Sequence, residues 1–364
     1  MRYICPPNLI AQFLTDGRVF LQDRSRGIGA KVPPWTLSVI SLCALPHSRN
    51  EIIAKLSNRG GQIFDQLVAI EVLIPEAQST REQIFHNFAS IPVHRRMLGD
   101  EVRLSIYRKA LNKAVTPDSI VIDAGSGTGA LAVYAALAGA KKVYAIENSE
   151  LVDQIFSVAK DSGVADRIEI IAGNFSQVKL PQKADILVTE TFGAWALAEG
   201  AAAELKTCIA HNLKPHGLLL PHTISLWAAP LEECPPQLLH PFRAREDGLN
   251  LSSLRKQATS RSANLNIEQH GLAQKICSLS LTENSFEGTL QIDHPCRALL
   301  LWFELHFPHD IILSTSPSAP LTHWKQTAVA ASLVRGQYLL KGQPAASDPR
   351  GFSLFLNNCE YRIR

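Results

Sequence analysis

The pattern of apolar and polar positions divides the chain into three textures. From residue 1 to about residue 80 short helical patterns dominate. Pro33-Pro34 precedes an amphipathic run at 35–43, and Ser48-Arg-Asn-Glu51 has the form of a capping box opening a helix over 52–56. Beyond Gly60-Gly61, the residues Ile63, Phe64, Leu67, Val68 and Val72 fall on one side of a third helix. Three short helices with a strand at 18–21 predict a small winged-helix-like unit. Residues 75–81 read as a linker, and a helix is predicted over 95–112, carrying Met97, Val102, Leu104, Tyr107 and Leu111 among charged neighbours.

At residue 119 the period changes. Ser119-Ile-Val-Ile-Asp123 is an apolar run suited to a buried parallel strand, and it flows through Ala-Gly-Ser-Gly-Thr-Gly129 into a helical segment over 130–140. Further strands are predicted at 143–147, 167–171, 184–189 and 217–220, with crossovers of suitable length between them. The pattern is that of a Rossmann-like, doubly wound α/β sheet. After Pro221, strand-like runs at 223–229, 276–281, 298–306, 327–333 and 352–356 alternate with turns and predict a largely β domain. Residues 234–269 are polar and poor in strand pattern, as in an excursion from the core. The expected domains are therefore 1–80, 81–221 and 222–364.

Composition narrows the class of protein. Hydrophobic residues make up 46% of the chain, enough for ordinary cores, and no run reaches membrane-spanning length. The amino terminus lacks a secretory pattern, and the seven cysteines are scattered without metal-ligand spacing, so a cytoplasmic protein with no structural metal is expected. A formal charge of +3 gives no nucleic-acid footprint.

The candidate chemistry lies in two loops. Gly125, Gly127 and Gly129 let backbone amides approach a ligand over a helix start, and Glu147 ends the next strand about 20 residues on, suited to ribose hydroxyls. An adenosine-type cofactor follows. The same spacing also satisfies G-x-G-x-x-A, so on spacing alone a nicotinamide oxidoreductase stays open. Facing this loop, the strand at 184–189 delivers Glu190, and the apolar loop after it ends in Glu199. Carboxylates among Phe, Ala, Trp and Leu are desolvated and want a cationic partner. A guanidinium suits them, because it stays protonated and its planar fork accepts bidentate contacts.

These pieces resemble the protein arginine methyltransferases over residues 85–364. The likeness rests on His94-Arg-Arg-Met-Leu-Gly-Asp-Glu-Val-Arg103, the glycine loop with Glu147, the 190–199 loop, Thr322-His-Trp-Lys-Gln326 and the ending Tyr361-Arg-Ile-Arg364. The resemblance implies a methyltransferase sheet followed by a β-barrel, with S-adenosylmethionine as methyl donor. It implies that Arg103 grips the donor's carboxylate, that Asp123 and Gly125 lie against its methionine part, and that Glu147 holds the ribose. Glu190 and Glu199 would clamp the acceptor guanidinium, in a peptide, a protein or a small molecule. Met97 would line the transfer site, His323 would pair with Asp100, and Trp324 would shape the arginine entrance. A dimerisation arm at about 231–262 implies a homodimer. The competing function is a methyltransferase-fold binding protein without turnover.

The chain also departs from that family. Ile84 and Phe88 stand where two tyrosines are expected, and Asn174 is left to accept from the adenine amino group in place of an acid. Thr191 and Phe192 replace Trp-Met, and Glu199-Gly-Ala201 resembles the monomethylating members. The amino-terminal unit lies outside the resemblance; its helical rhythm is similar to that of small domains that recognise leader peptides.

Overall fold

The computed structural model describes residues 1–364 except 7–8, 24–27, 77–90, 199–200, 240–241, 243–248, 255–261, 269, 346–350, 358 and 364. The architecture is mixed α/β. Small sheets at the amino end are followed by a five-stranded parallel sheet and then by antiparallel sheets. Among the described residues no helix is long and apolar enough to cross a membrane.

The first unit is built from β1 (Tyr3–Ile4), β2 (Ile10–Phe13), β3 (Val19–Asp23), β4 (Ile28–Val32), α1 (Leu37–Leu42), α2 (Arg49–Ala69) and β5 (Ile74–Pro75). Where the sequence predicts one strand, β2, β3 and β4 form a three-stranded antiparallel sheet that precedes the helices. The capping box is present: Ser48 N–H donates to Glu51 at 2.6 Å and Glu51 N–H to Ser48 Oγ at 3.4 Å. The expected helix boundary moves, however. The chain kinks at Leu56 and Ser57, the latter at φ 63°, and runs on as helix through Gly60, where a Cβ would meet that of Leu56 at 2.5 Å. Val19, Leu21, Val39, Ile52, Phe64 and Leu67 close a core belonging to this unit alone.

The helix predicted over 95–112 is divided into α3 (Ile91–Leu98) and α4 (Glu101–Ala114), because Asp100 caps the second by accepting the Arg103 N–H through Oδ1 at 3.0 Å. The chain continues through β6 (Ile120–Ala124), α5 (Ala130–Leu137), β7 (Lys142–Glu147), α6 (Val152–Asp161), β8 (Ile168–Ala172), β9 (Ala184–Thr189), α7 (Ala202–Asn212) and β10 (Leu213–Leu220). The parallel strands lie in the order β10-β9-β6-β7-β8. The winding reverses between β6 and β9, and a crevice opens beyond their carboxyl ends.

After β10 come β11 (Thr223–Leu231), the short α8 (Pro236–Leu239), β12 (Ala263–Leu265), β13 (Gln274–Ser280), β14 (Phe286–Ile292), β15 (Ala298–Phe307), β16 (Ile311–Ser314), β17 (Gln326–Val329), β18 (Gly336–Pro344), β19 (Phe352–Leu356) and β20 (Cys359–Ile363). One antiparallel sheet runs β12-β17-β15-β11-β13 with β16 on β15, and another runs β14-β18-β19-β20. Every run predicted after Pro221 falls on a strand, though β17 ends at Val329 where the sequence suggested 333. One apolar core continues from Tyr107 of α4 through the parallel sheet to Ile363 of β20, so the parallel and antiparallel parts are packed as one body.

Candidate active site

Strand register brings the two chemical loops together. Ala124 of β6 lies opposite Thr189 of β9, so the next residues, Gly125 and Glu190, leave the sheet side by side. On the other flank Ala124 pairs with Ile146, which places Glu147 at the same rim. Gly125 and Gly127 have φ of 79° and 55°, a region that side chains rarely adopt. Each also faces a close neighbour. A Cβ on Gly125 would meet the Thr191 methyl at 2.9 Å, and one on Gly127 the His94 ring at 3.0 Å. The loops around this rim enclose a cavity of about 530 Å³.

One end of the cavity is formed by the glycine loop and Glu147. The Glu147 carboxylate accepts N–H bonds from Gly127 at 2.6 Å, Ser149 at 2.7 Å and Asn148 at 2.9 Å. Asn174 also lines this end, and its Oδ1 accepts from the N–H and the hydroxyl of Ser176, both at 2.8 Å. Beneath the loop Asp123 is buried. Its Oδ2 accepts the Ala132 N–H at 2.9 Å, the Ser126 hydroxyl donates to its backbone carbonyl at 2.9 Å, and among the described residues its Oδ1 has no hydrogen-bond partner. Burial pushes its carboxyl up to about 7. The Ser126 hydroxyl and Ala132 N–H oppose that rise, and the charges of Glu147 and Glu190 add to it.

The other end is organised by Glu190, which is 7% exposed at its side chain. Burial pushes its carboxyl above the usual range, the Arg103 guanidinium and His323 pull it back, and Asp100 adds to the rise. Arg103 Nη1 donates to Glu190 Oε2, and Nη2 donates to the Met97 carbonyl at 2.6 Å. The residue expected on the donor thus holds the acid expected on the acceptor, because α4 packs its amino-terminal turn against the end of β9. The Arg103 Nε is buried and has no hydrogen-bond partner among the described residues. Asp100 and His323 meet as the family resemblance implies: Asp100 Oδ2 accepts from His323 Nδ1 at 2.9 Å and from its backbone N–H at 2.8 Å. Trp324 donates its indole N–H to the Phe192 carbonyl at 2.7 Å. Met97, His323 and Trp324 all line the cavity. Glu199, Ile84 and Phe88 lie outside the described residues.

Several contributors are absent from the sequence-based set. Tyr107, fully buried one helical turn after Arg103, donates to the Thr189 carbonyl at 2.9 Å. The Thr189 hydroxyl donates to the Ala124 carbonyl at 2.9 Å and ties the two strand ends together. Trp195, at φ 49°, is buried and donates its indole N–H to the Trp302 carbonyl of β15 at 3.0 Å. His94 packs over Gly127 and lines the cavity. The i, i+4 relation of Arg103 and Tyr107 was a usable signal; the partner of Trp195 was not, since it lies 107 residues away.

Comparison with known proteins places this geometry among relatives. Residues 244–331 match the family model described as the arginine methyltransferase oligomerization subdomain, and residues 103–220 match that of ribosomal protein L11 methyltransferase (PrmA). The chain is 28% identical over 271 residues to protein arginine N-methyltransferase 6 of Danio rerio, covering 67% of this chain and 78% of that protein. It is 26% identical over 303 residues to the probable protein arginine N-methyltransferase 6 of Arabidopsis thaliana, covering 67% and 69%. Histone-arginine methyltransferase CARMER of Drosophila mojavensis is 28% identical over 320 residues, and there the match covers 77% of this chain and 58% of the relative. Among solved structures, the Trypanosoma brucei PRMT1 enzyme-prozyme heterotetrameric complex with AdoHcy shares the fold, with a TM-score of 0.68 at 23% identity over 76% of this chain and 99% of that one. Arabidopsis thaliana protein arginine methyltransferase 10 shares it at a TM-score of 0.63 and 21% identity over 77% and 100%.

Proposed function

We propose that the chain is a member of the protein arginine methyltransferase family and that it transfers a methyl group from S-adenosylmethionine to an arginine guanidinium. The observation that carries this reading is the Arg103–Glu190 pair: the buried acid opposite the glycine loop already binds a guanidinium.

The residues suit the donor. Among the described residues, Arg103 Nε at the cavity wall and Asp123 Oδ1 beneath the glycine loop are buried without a hydrogen-bond partner, and they suit the carboxylate and the ammonium of such a donor. Glu147 at the rim of β7 would take the ribose, and the glycine loop gives the ligand close access to backbone. When bound, S-adenosylmethionine supplies a methyl on a positively charged sulfur. The protein's part is positioning and electrostatics. Glu190, with Glu199 as the partner that the family resemblance assigns, would hold the acceptor guanidinium and draw its charge towards the clamped nitrogens, leaving the remaining nitrogen richer in electron density. The Asp100–His323 bond and the Trp324–Phe192 bond set the wall against which the acceptor lies.

In finer detail, we read the antiparallel sheets as a β-barrel, the first unit as winged-helix-like, residues about 231–262 as a dimerisation arm, and the protein as a cytoplasmic homodimer. The match of 244–331 to an oligomerization subdomain and the scattered cysteines support these readings. The acceptor is a peptide, a protein or a small guanidino compound, and the product is monomethylated.

Glu190→Gln tests the proposal. The carboxamide keeps the shape and loses the charge, so S-adenosylmethionine should still bind by calorimetry. Methyl transfer from labelled donor to a panel including free arginine and peptides should vanish, read by product mass and fragmentation. Normal turnover in that variant overturns the assignment.

A further inference from the structure

The cavity wall carries more charge than the transfer reaction uses, and the charges differ in how they are engaged. Of the acids on the wall, Glu147 accepts three backbone N–H bonds, Glu190 is paired with Arg103, and Glu204 also has a partner. Two exposed cations, Arg96 and Lys325, line the same cavity, and among the described residues neither side chain has a hydrogen-bond or ion-pair partner. Both flank the acceptor end. Arg96 precedes Met97, whose carbonyl accepts from Arg103 Nη2, and Lys325 follows Trp324, whose indole N–H donates to the carbonyl of Phe192, two residues beyond Glu190. Lys325 also has a φ of 58°, in a turn closed by its N–H on the Thr322 carbonyl at 3.2 Å. A lysine held in a left-handed conformation at a cavity rim is a feature associated with ligand contact.

From this asymmetry we infer that the enzyme selects arginines that carry a carboxylate close to the guanidinium, and that Arg96 and Lys325 read that carboxylate. The inference rests on the arginine methyltransferase reading and names its substrate class. An acceptor entering Glu190 with its guanidinium places whatever neighbours the arginine between α3 and the turn before β17. Positive neighbours meet two unpaired cations there and are repelled; a carboxylate gains two partners. The carboxylate can be the α-carboxylate of free arginine, that of a carboxy-terminal arginine, or an Asp or Glu side chain beside an internal arginine. The chemistry is the same in each.

The test compares five acceptors with the full-length enzyme: free L-arginine, a peptide ending in arginine as the free acid, the same peptide as its amide, and one peptide with an internal arginine flanked either by glutamate or by lysine. The carboxylate-bearing acceptors should exceed the amide and the lysine-flanked peptide by about tenfold in kcat/KM at low ionic strength, with the gap narrowing as salt is added. Whichever carboxylate acceptor ranks first identifies the source. Arg96→Glu and Lys325→Glu should lower or invert the preference, with affinity for S-adenosylhomocysteine by calorimetry and the thermal unfolding midpoint serving as controls on the fold. Equal use of glutamate-flanked and lysine-flanked peptides, or a preference unchanged in both variants, overturns the inference. The affinity of each acceptor for the S-adenosylhomocysteine complex is measured in parallel. If no methyl is transferred, the reaction assignment fails, while charge-dependent affinity still supports this inference and charge-independent affinity overturns it.

Discussion

Asp100 and His323 are 223 residues apart in the chain and share a hydrogen bond of 2.9 Å that joins α4 to the turn before β17. The same carboxylate caps α4 through its other oxygen, so one side chain sets both the start of the helix that carries Arg103 and the approach of the loop that carries Trp324. Burial acts to raise the Asp100 carboxyl, but the bonds from His323 and the Arg103 N–H outweigh it and hold it below 3.8. A depressed carboxyl contributes its stability above the unfolded value and loses it only as pH falls through the folded one, so this tie is intact throughout the neutral range.

Two substitutions at Asp100 separate its tasks. Asparagine is as good an N-cap as aspartate but has a single acceptor oxygen and no charge, so it cannot both cap α4 and accept from His323, whereas alanine loses both functions. Asp100→Asn should keep the helix start and cost mainly activity. Asp100→Ala should cost about 1 kcal/mol for the cap and several more for the broken buried pair. Thermal unfolding and kcat on the best acceptor check this; equal kcat in the wild type and both variants would remove the tie from the catalytic account.

Asp123 should give the enzyme a pH signature of the opposite sign. Its folded carboxyl stands at about 7 against 3.8 for the ordinary value, so between these limits the folded state keeps a proton that the unfolded chain has lost. Stability should therefore fall as pH rises from about 4 to 7 and level off above, by an amount of order 4 kcal/mol for a gap of this size. Asp123→Asn, which can still accept the Ala132 N–H, should flatten that slope relative to the wild type in chemical denaturation at stepped pH. A positively charged donor favours the ionised form, so binding should release a proton near pH 6. Calorimetry in buffers of different ionisation enthalpy reads this directly, and no buffer dependence would separate Asp123 from the donor.

The strands that made the site legible are those buried on both faces. β6 (Ile-Val-Ile-Asp-Ala) and β9 (Ala-Asp-Ile-Leu-Val-Thr) read as continuous apolar runs, and the chemistry sits at their ends. The missed strands are half-buried. β14 alternates Phe286, Leu290 and Ile292 with exposed Glu287 and Gln291, and β18 contains Gly336, Gly342 and Pro344, residues that weaken a strand signal. The Arg103–Glu190 contact was beyond local pattern, since it depends on where α4 docks and joins residues 87 apart. The Ser176 turn that engages Asn174 Oδ1 is a local bond of the kind Asn side chains commonly make, and no periodic pattern signals it.

Tyr107 is the residue by which α4 controls the acid end of the site. Arg103 pairs with the Glu190 side chain, and one turn later Tyr107 donates to the carbonyl of Thr189, so the helix holds Glu190 from both side chain and backbone. The ring is packed edge-on against Phe307 at 5.0 Å, and phenylalanine preserves that contact while deleting the hydroxyl. Tyr107→Phe should therefore leave the core filled and strand the buried Thr189 carbonyl, at a cost of about 1–3 kcal/mol. With the end of β9 free to shift, Glu190 would present its carboxylate less accurately. kcat should fall several-fold while donor affinity, set by the glycine loop and Glu147, stays within twofold. Steady-state kinetics alongside donor calorimetry distinguish the outcomes. A lowered unfolding midpoint with unchanged kcat would reduce Tyr107 to a strut of the fold, whereas a fall in kcat with an unchanged donor Kd would make it a positioning residue for Glu190.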